Sequence, residues 1–151
     1  MPERDNKRIV ARMYEEGWGK GRLEVFDQSW ASPHVLHWNE QQPSDQQRTL
    51  DELKAIARSY RSAFPDLTVE LNEIVAEGNK VAVQVTFEGT HRGQYEGFGP
   101  TNRKSRFTDM QIFTFAGGKI AETTLGSGGL RYFFAILDGS AFQGLSEGSL
   151  V

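Results

Sequence analysis

Residues Val81-Ala-Val-Gln-Val-Thr-Phe87-Glu-Gly-Thr-His91 alternate without a break, and no other stretch restricts the fold as much. A period of two belongs to a strand and puts Val81, Val83, Val85, Phe87, Gly89 and His91 on one face. That face is apolar until it ends in an imidazole. An unpaired polar group buried there would cost roughly 2–7 kcal/mol on transfer scales, so such a histidine is either hydrogen-bonded or functional. A second run, Phe107-Thr-Asp109-Met-Gln111-Ile-Phe113-Thr-Phe115, sets Asp109 and Gln111 among three phenylalanines. Two strands with polar groups on aromatic faces predict a sheet that lines a small-molecule pocket.

Upstream the period is that of a helix. Ile9, Val10, Met13, Tyr14 and Trp18, after the capping candidates Asp5 and Asn6, predict a helix over 6–18, ended by Gly17, Gly19 and Gly21. Leu23, Phe26 and Trp30 space a second helix, closed by Ser32-Pro33. Val35-Leu36-His37-Trp38 reads as a short strand and 39–48 as a polar loop rich in Gln. Thr49-Leu-Asp-Glu52 is a capping box that opens a third helix, with Leu53, Ile56, Ala57, Tyr60 and Phe64 on one side. Pro65-Asp66 stops it. Strands 67–76 and 80–91 follow across the turn Glu77-Gly78-Asn79, and strands 105–116 and 119–125 meet across Gly117-Gly118. Leu130–Leu137 reads as a short helix, before a frayed tail over 139–151. Helices first and an antiparallel sheet afterwards predict one α+β domain over 1–151, with its core at about 6–138.

The chain has 151 residues, enough to bury a full core unaided. It has no cysteine, which excludes thiolate nucleophiles, disulfides and Cys-based zinc sites. Lys and Arg total 17 against 20 Asp and Glu, and the basic residues are scattered, so no nucleic-acid partner is expected. No apolar run approaches the roughly 20 residues that span a bilayer, and Met-Pro-Glu-Arg-Asp lacks the apolar core of a signal peptide. A cytoplasmic protein without a membrane partner is the expectation.

The order of elements resembles the cone-shaped α+β superfold of nuclear transport factor 2, ketosteroid isomerase and scytalone dehydratase. Five motifs narrow it: Ala63-Phe-Pro-Asp-Leu67, Ile74-Val-Ala-Glu-Gly-Asn79-Lys-Val-Ala-Val83, Gly89-Thr-His-Arg-Gly93, Gly97-Phe-Gly-Pro-Thr101 and Ala116-Gly-Gly-Lys-Ile120. In this order they are similar to the SnoaL-like polyketide cyclase and ester cyclase family over roughly residues 6–125. The resemblance implies a curled antiparallel sheet wrapped on three N-terminal helices, an apolar pocket, and a homodimer through the outer sheet face. It also implies acid–base chemistry with no cofactor. The chain departs from the family after Ile120-Ala-Glu122. The positions matching the aldol cyclases' catalytic aspartate and its histidine partner hold approximately Leu125 and Gln111, and neither side chain can transfer a proton.

The catalytic candidates are His37, Asp109, Tyr14 and His91. An imidazole with a pKa near 6.5 suits proton transfer near neutrality. The resemblance puts His37 at about the place of the isomerase-like general base, though such a histidine can also simply bond loop backbone. It also matches Tyr14 to the isomerase's oxyanion-donating tyrosine; packing alone is the other reading. Asp109 is the only carboxylate within an aromatic strand face, a candidate acid or the orienter of a histidine, unless a bulge turns it outward. A hairpin centred near Gly97-Phe98 pairs Asp109 with about Phe87. His91 then lies four residues on, about 13 Å along the strand, and guards the pocket mouth. No His-x-x-x-His or His-Glu-x-x-His spacing exists, so no metal is expected. Trp18, Trp38, Tyr60, Phe64 and Phe87 are candidates to line the pocket, with Phe98, Gln111, Phe113 and Leu125.

The reading that follows is a cofactor-independent cyclase or isomerase acting on a hydrophobic polyketide- or terpenoid-like intermediate. Aldol closure, epoxide opening, pericyclic closure and isomerisation all remain open. The alternative is a non-catalytic binding or dimeric partner module. Thr108, Met110, Ile112 and Thr114 form the opposite face of their strand, an apolar strip suited to a second copy.

Overall fold

The computed structural model describes residues 2–37, 46–94 and 99–125. Helix α1 (Pro2–Arg12) runs directly into a π-helical segment (Met13–Trp18), followed by α2 (Glu24–Ser29), β1 (Trp30–His37) and β2 (Gln46–Arg48). Helix α3 (Leu50–Ala63) then leads into β3 (Thr68–Glu77), β4 (Lys80–Thr90), β5 (Lys104–Ala116) and β6 (Lys119–Leu125). The six strands form one sheet in the order β2-β1-β6-β5-β4-β3. Every pairing is antiparallel except β1 with β6, which is parallel. The architecture is α+β, with the helices first in the chain.

α1 begins four residues before the predicted start. Pro2 needs no donor in the first turn, and Glu3 and Asp5 complement the helix N-terminus. The π-helical segment fits an extra residue into each turn and keeps Met13, Tyr14 and Gly17 buried. Gly17 has to be small, because a Cβ there would stand 3.0 Å from the Phe26 ring. The N-cap half of the expected capping box is in place: the Thr49 hydroxyl accepts from Glu52 N at 3.2 Å, while the Glu52 carboxylate turns to Arg48 instead of the Thr49 backbone. Leu53, Ala57 and Tyr60 then bury one side of α3.

Three expectations need correction. Trp30 opens β1 rather than ending a helix, Ser32-Pro33 lies inside that strand, and Gln46–Arg48 is a strand rather than loop. Proline cannot donate to a ladder, and here it does not have to. β2 pairs only with His34–Leu36, and the β1–β6 register shifts between Trp30 and Val35, so Pro33 falls outside both ladders. The β4–β5 register also differs: Asp109 faces Val85, and Phe87 faces Phe107. Moving the hairpin midpoint by one residue shifts each pair by two, which preserves the faces. At the other hairpin Gly117 and Gly118 both take positive φ, +60° and +81°, as a two-residue turn between twisted strands requires. The predicted helix 130–137 and the tail lie outside the described residues.

The core fills the space between the helices and one face of the sheet, with Val10, Phe26, Ala57, Phe64, Val81 and Ile120 each 0% exposed. Among the described residues no helix is long and apolar enough to cross a membrane.

Candidate active site

Strand β5 turns Ser105, Phe107, Asp109, Phe113 and Phe115 into the interior and leaves Arg106, Thr108, Met110 and Ile112 exposed. Asp109 is 2% exposed. Its Oδ1 accepts from Met110 N at 2.9 Å and its Oδ2 from Gln111 Nε2 at 3.2 Å. The other end of the same amide, Gln111 Oε1, accepts from the Tyr14 hydroxyl at 2.5 Å. Tyr14, Gln111 and Asp109 thus form one hydrogen-bond chain, with every donor pointing toward the carboxylate.

The helical segment carrying Tyr14 is held from below: Arg61 of α3 donates to the carbonyls of Trp18 and Gly19 at 2.7 and 2.9 Å. Phe87 and Phe113 meet the Tyr14 ring edge-on at 6.3 and 6.0 Å. Burial first, and then the charge of Asp109, push the Tyr14 phenol well above its ordinary pKa of about 10. It therefore stays protonated as a donor across the working pH range.

At the β1–β6 end of the inward face the polar groups behave differently. His34 is 1% exposed and tilts over Trp30 at 4.5 Å, and neither ring nitrogen has a hydrogen-bond partner among the described residues. Thr123, 1% exposed, has none among them for its hydroxyl. Burial lowers the His34 pKa. The Ala31 backbone pulls it back in part, without reaching hydrogen-bonding geometry at either nitrogen. Arg48 pushes it down and Glu52 pulls it up, and these two face each other at 3.5 Å. The ring is therefore neutral at pH 7, with one donor and one acceptor nitrogen.

The structure brings together three of the predicted residues, Tyr14, Gln111 and Asp109, and packs Phe87 and Phe113 around them. Trp18 and Tyr60 extend this aromatic group: Trp18 lies 6.0 Å from Tyr60 and 6.4 Å from Phe87. Phe64 continues the group, 5.2 Å from Tyr60 and stacked on His91 at 5.3 Å. His91 accepts at Nδ1 from Thr101 N, 3.3 Å away, and its backbone pairs with Asn102 and Arg103. It clasps the loop after β4, and burial lowers its pKa. Since Asp109 faces Val85, His91 lies six residues beyond Asp109's partner, roughly 20 Å along the strand.

The His37 backbone pairs with Thr124, in the register row of Ile112 and Ala82; its side chain, like that of Leu125, is outside the described set. Leu125 is the register partner of Gln111. Trp38 and Phe98 are not among the described residues. His34 is the residue that the sequence reading missed. A strand begun at Trp30 alternates Trp30, His34 and Leu36 inward, all buried, and that period was present in the text. Among the described residues no three His, Asp or Glu side chains are grouped as metal ligands would be.

A family model described as SnoaL-like polyketide cyclase matches residues 8–125. Among solved structures, a protein of Jannaschia sp. CCS1 assigned as a SnoaL-like polyketide cyclase aligns at TM-score 0.75 and 23% identity, over 89% of this chain and 92% of that one. AclR of Streptomyces galilaeus, assigned as a hydroxylase, aligns at TM-score 0.73 and 21% identity, over 91% and 98%. IdmH of Streptomyces antibioticus, assigned as a polyketide cyclase, aligns at TM-score 0.70 and 24% identity, over 89% and 98%. At such identities the likeness is one of fold. No curated protein matches the chain.

Proposed function

The chain belongs to the SnoaL-like polyketide cyclase family, and on that premise we propose that it is a cofactor-independent cyclase or isomerase of a hydrophobic, polyketide- or terpenoid-like intermediate. One observation carries the proposal: a hydrogen-bonded Tyr14–Gln111–Asp109 chain on an otherwise aromatic inward face. Asp109 accepts a proton from an acidic carbon or returns one to a leaving oxygen. Tyr14, kept protonated, has a single O–H and turns it from Gln111 Oε1 to the oxyanion that develops. Gln111 links the two, so a change of charge at one end is felt at the other. Aromatic neighbours exclude water and fold the substrate.

The departure from the aldol cyclases supports this placement. Leu125 and Gln111, which stand where a proton-transferring pair is expected, are register partners. Asp109 is the next inward residue along β5 from Gln111, so the acid–base group has moved one inward position. A second reading, a non-catalytic ligand-binding module, draws on the same departure.

Asp109→Asn separates the two readings, because Asn keeps the shape and cannot move a proton. With conversion of bicyclic aromatic ketones followed by chromatographic separation of substrate and product isomers, the variant is expected to lose at least about 100-fold in turnover while binding the same ketones as before. Turnover within a few-fold of the parent would remove Asp109 from the mechanism. Binding without turnover in both proteins would favour the binding module. We further propose that the protein works as a homodimer through the outer sheet face.

A further inference from the structure

The inward face has a second polar place that the Tyr14–Gln111–Asp109 chain leaves unused. His34 and Thr123 are each 1% exposed, lie on adjacent strands, and have no hydrogen-bond partner for the imidazole nitrogens or the hydroxyl among the described residues. Thr123 is the register partner of Leu36, two residues along β1 from His34, which puts the two Cα atoms roughly 8 Å apart. Buried polar groups in native proteins are nearly always satisfied. Two orphans within reach of one small group point to an occupant.

We propose that His34 and Thr123 form a second polar subsite at the β1–β6 end of the sheet, and that it holds a carbonyl or enol oxygen of an aromatic ligand whose body extends toward Tyr14. The proposal rests on the reading of the Tyr14–Gln111–Asp109 chain as a substrate site.

A run of edge-on and tilted ring contacts joins the two places. The Trp30 ring lies 4.5 Å from that of His34 and 5.9 Å from Phe113, and Phe113 lies 6.0 Å from Tyr14. Trp30 is itself held, its indole N–H donating to Met13 Sδ at 2.9 Å. A flat ligand along Trp30 and Phe113 would thus present one oxygen to each polar end. The chemistry of the subsite selects a neutral group. A neutral imidazole and a hydroxyl offer both a donor and an acceptor, which suits a carbonyl or an enol. The charged groups nearest His34, Arg48 and Glu52, are paired with each other and leave little net field to attract an anion.

The test compares 2-naphthol with naphthalene, which has the same aromatic body and no oxygen, in binding to the full chain by fluorescence. The parent is expected to prefer 2-naphthol by about tenfold, the scale of one buried hydrogen bond. The doubly substituted His34→Phe, Thr123→Val protein should lose that preference and keep its naphthalene affinity. His34→Gln, which retains a donor and an acceptor, should restore part of it. Near-UV circular dichroism checks that each variant is folded. A preference that survives in the double variant overturns the subsite, as does a parent that shows none. If Tyr14→Phe alone abolishes the preference, the subsite falls while the parent reading of the chain stands. If no variant changes it, both fall.

Discussion

Two polar places share the inward face of the sheet and solve the problem of burial in opposite ways. At β5, Asp109 and Gln111 meet their own needs through Met110 N and the Tyr14 hydroxyl. At β1 and β6, His34 and Thr123 are as deeply buried and meet none of theirs among the described residues. The first arrangement holds a phenol and a carboxylate in place before any ligand arrives, with the phenol proton resting on Gln111 until a stronger acceptor takes it. The second costs stability in the free protein and returns it when a ligand supplies the missing partners. Rigid chemistry at one end and recognition at the other make a coherent division of the face.

The sharpest way to break this comparison is to remove one group from each place and measure stability by urea unfolding. Gln111→Leu strips partners from both Tyr14 and Asp109 and is expected to cost about 2–3 kcal/mol. Thr123→Val keeps the volume and removes a hydroxyl that has no partner among the described residues, so it should leave stability unchanged or raise it by up to about 1 kcal/mol. Equal losses from both would show that Thr123 is satisfied within the fold.

A smaller effect should appear with acid. Burial lowers the pKa of both His34 and His91. The unfolded chain therefore takes up protons that the folded one refuses, and stability, full above the unfolded value of about 6.5, falls as pH drops through the folded values. One such histidine contributes a slope of at most about 1.4 kcal/mol per pH unit. His34→Gln should flatten the acid limb of the unfolding midpoint below about pH 6.5. An unchanged limb would mean that His34 is solvated in the folded protein.

The smallest effect on the fold is expected on the opposite face. Val75, Met110 and Ile112 are 59%, 64% and 43% exposed, and Val75, Ala82 and Ile112 share one register row. Ile112→Lys should move monomer stability by no more than about 0.5 kcal/mol and convert a sedimenting dimer into a monomer. A parent that already sediments as a monomer at tens of micromolar would refute the dimer.

The same two places show what the sequence could reveal. β5 was legible because an unbroken alternation fixes its faces, and those survived a register two residues from the expected one. The start of α3 was legible from Thr49, which caps it through Glu52 N, although the Glu52 side chain bonds Arg48 rather than completing the box. β1 was hidden because Pro33 reads as a stop; only the pairing shows that this residue sits outside both ladders. With the strand begun too late, His34 was left out of it, and its inward place beside Trp30 and Leu36 went unread. The parallel partner of β1 is β6, some ninety residues away, and no local signal announces such a pairing. The 97-residue separation of Tyr14 and Gln111 has the same consequence: each could be named from the sequence, but not their contact.

The central claim is that Tyr14, Gln111 and Asp109 act as one unit, and a double-mutant cycle on turnover tests it most directly. Tyr14→Phe and Asp109→Asn are measured singly and together on the bicyclic aromatic ketone that the parent converts. Groups that act as a unit are strongly non-additive, so the double variant should be no slower than the slower single variant, within about threefold. A double variant slowed by the full product of the two single effects would mean independent groups, and would contradict the account.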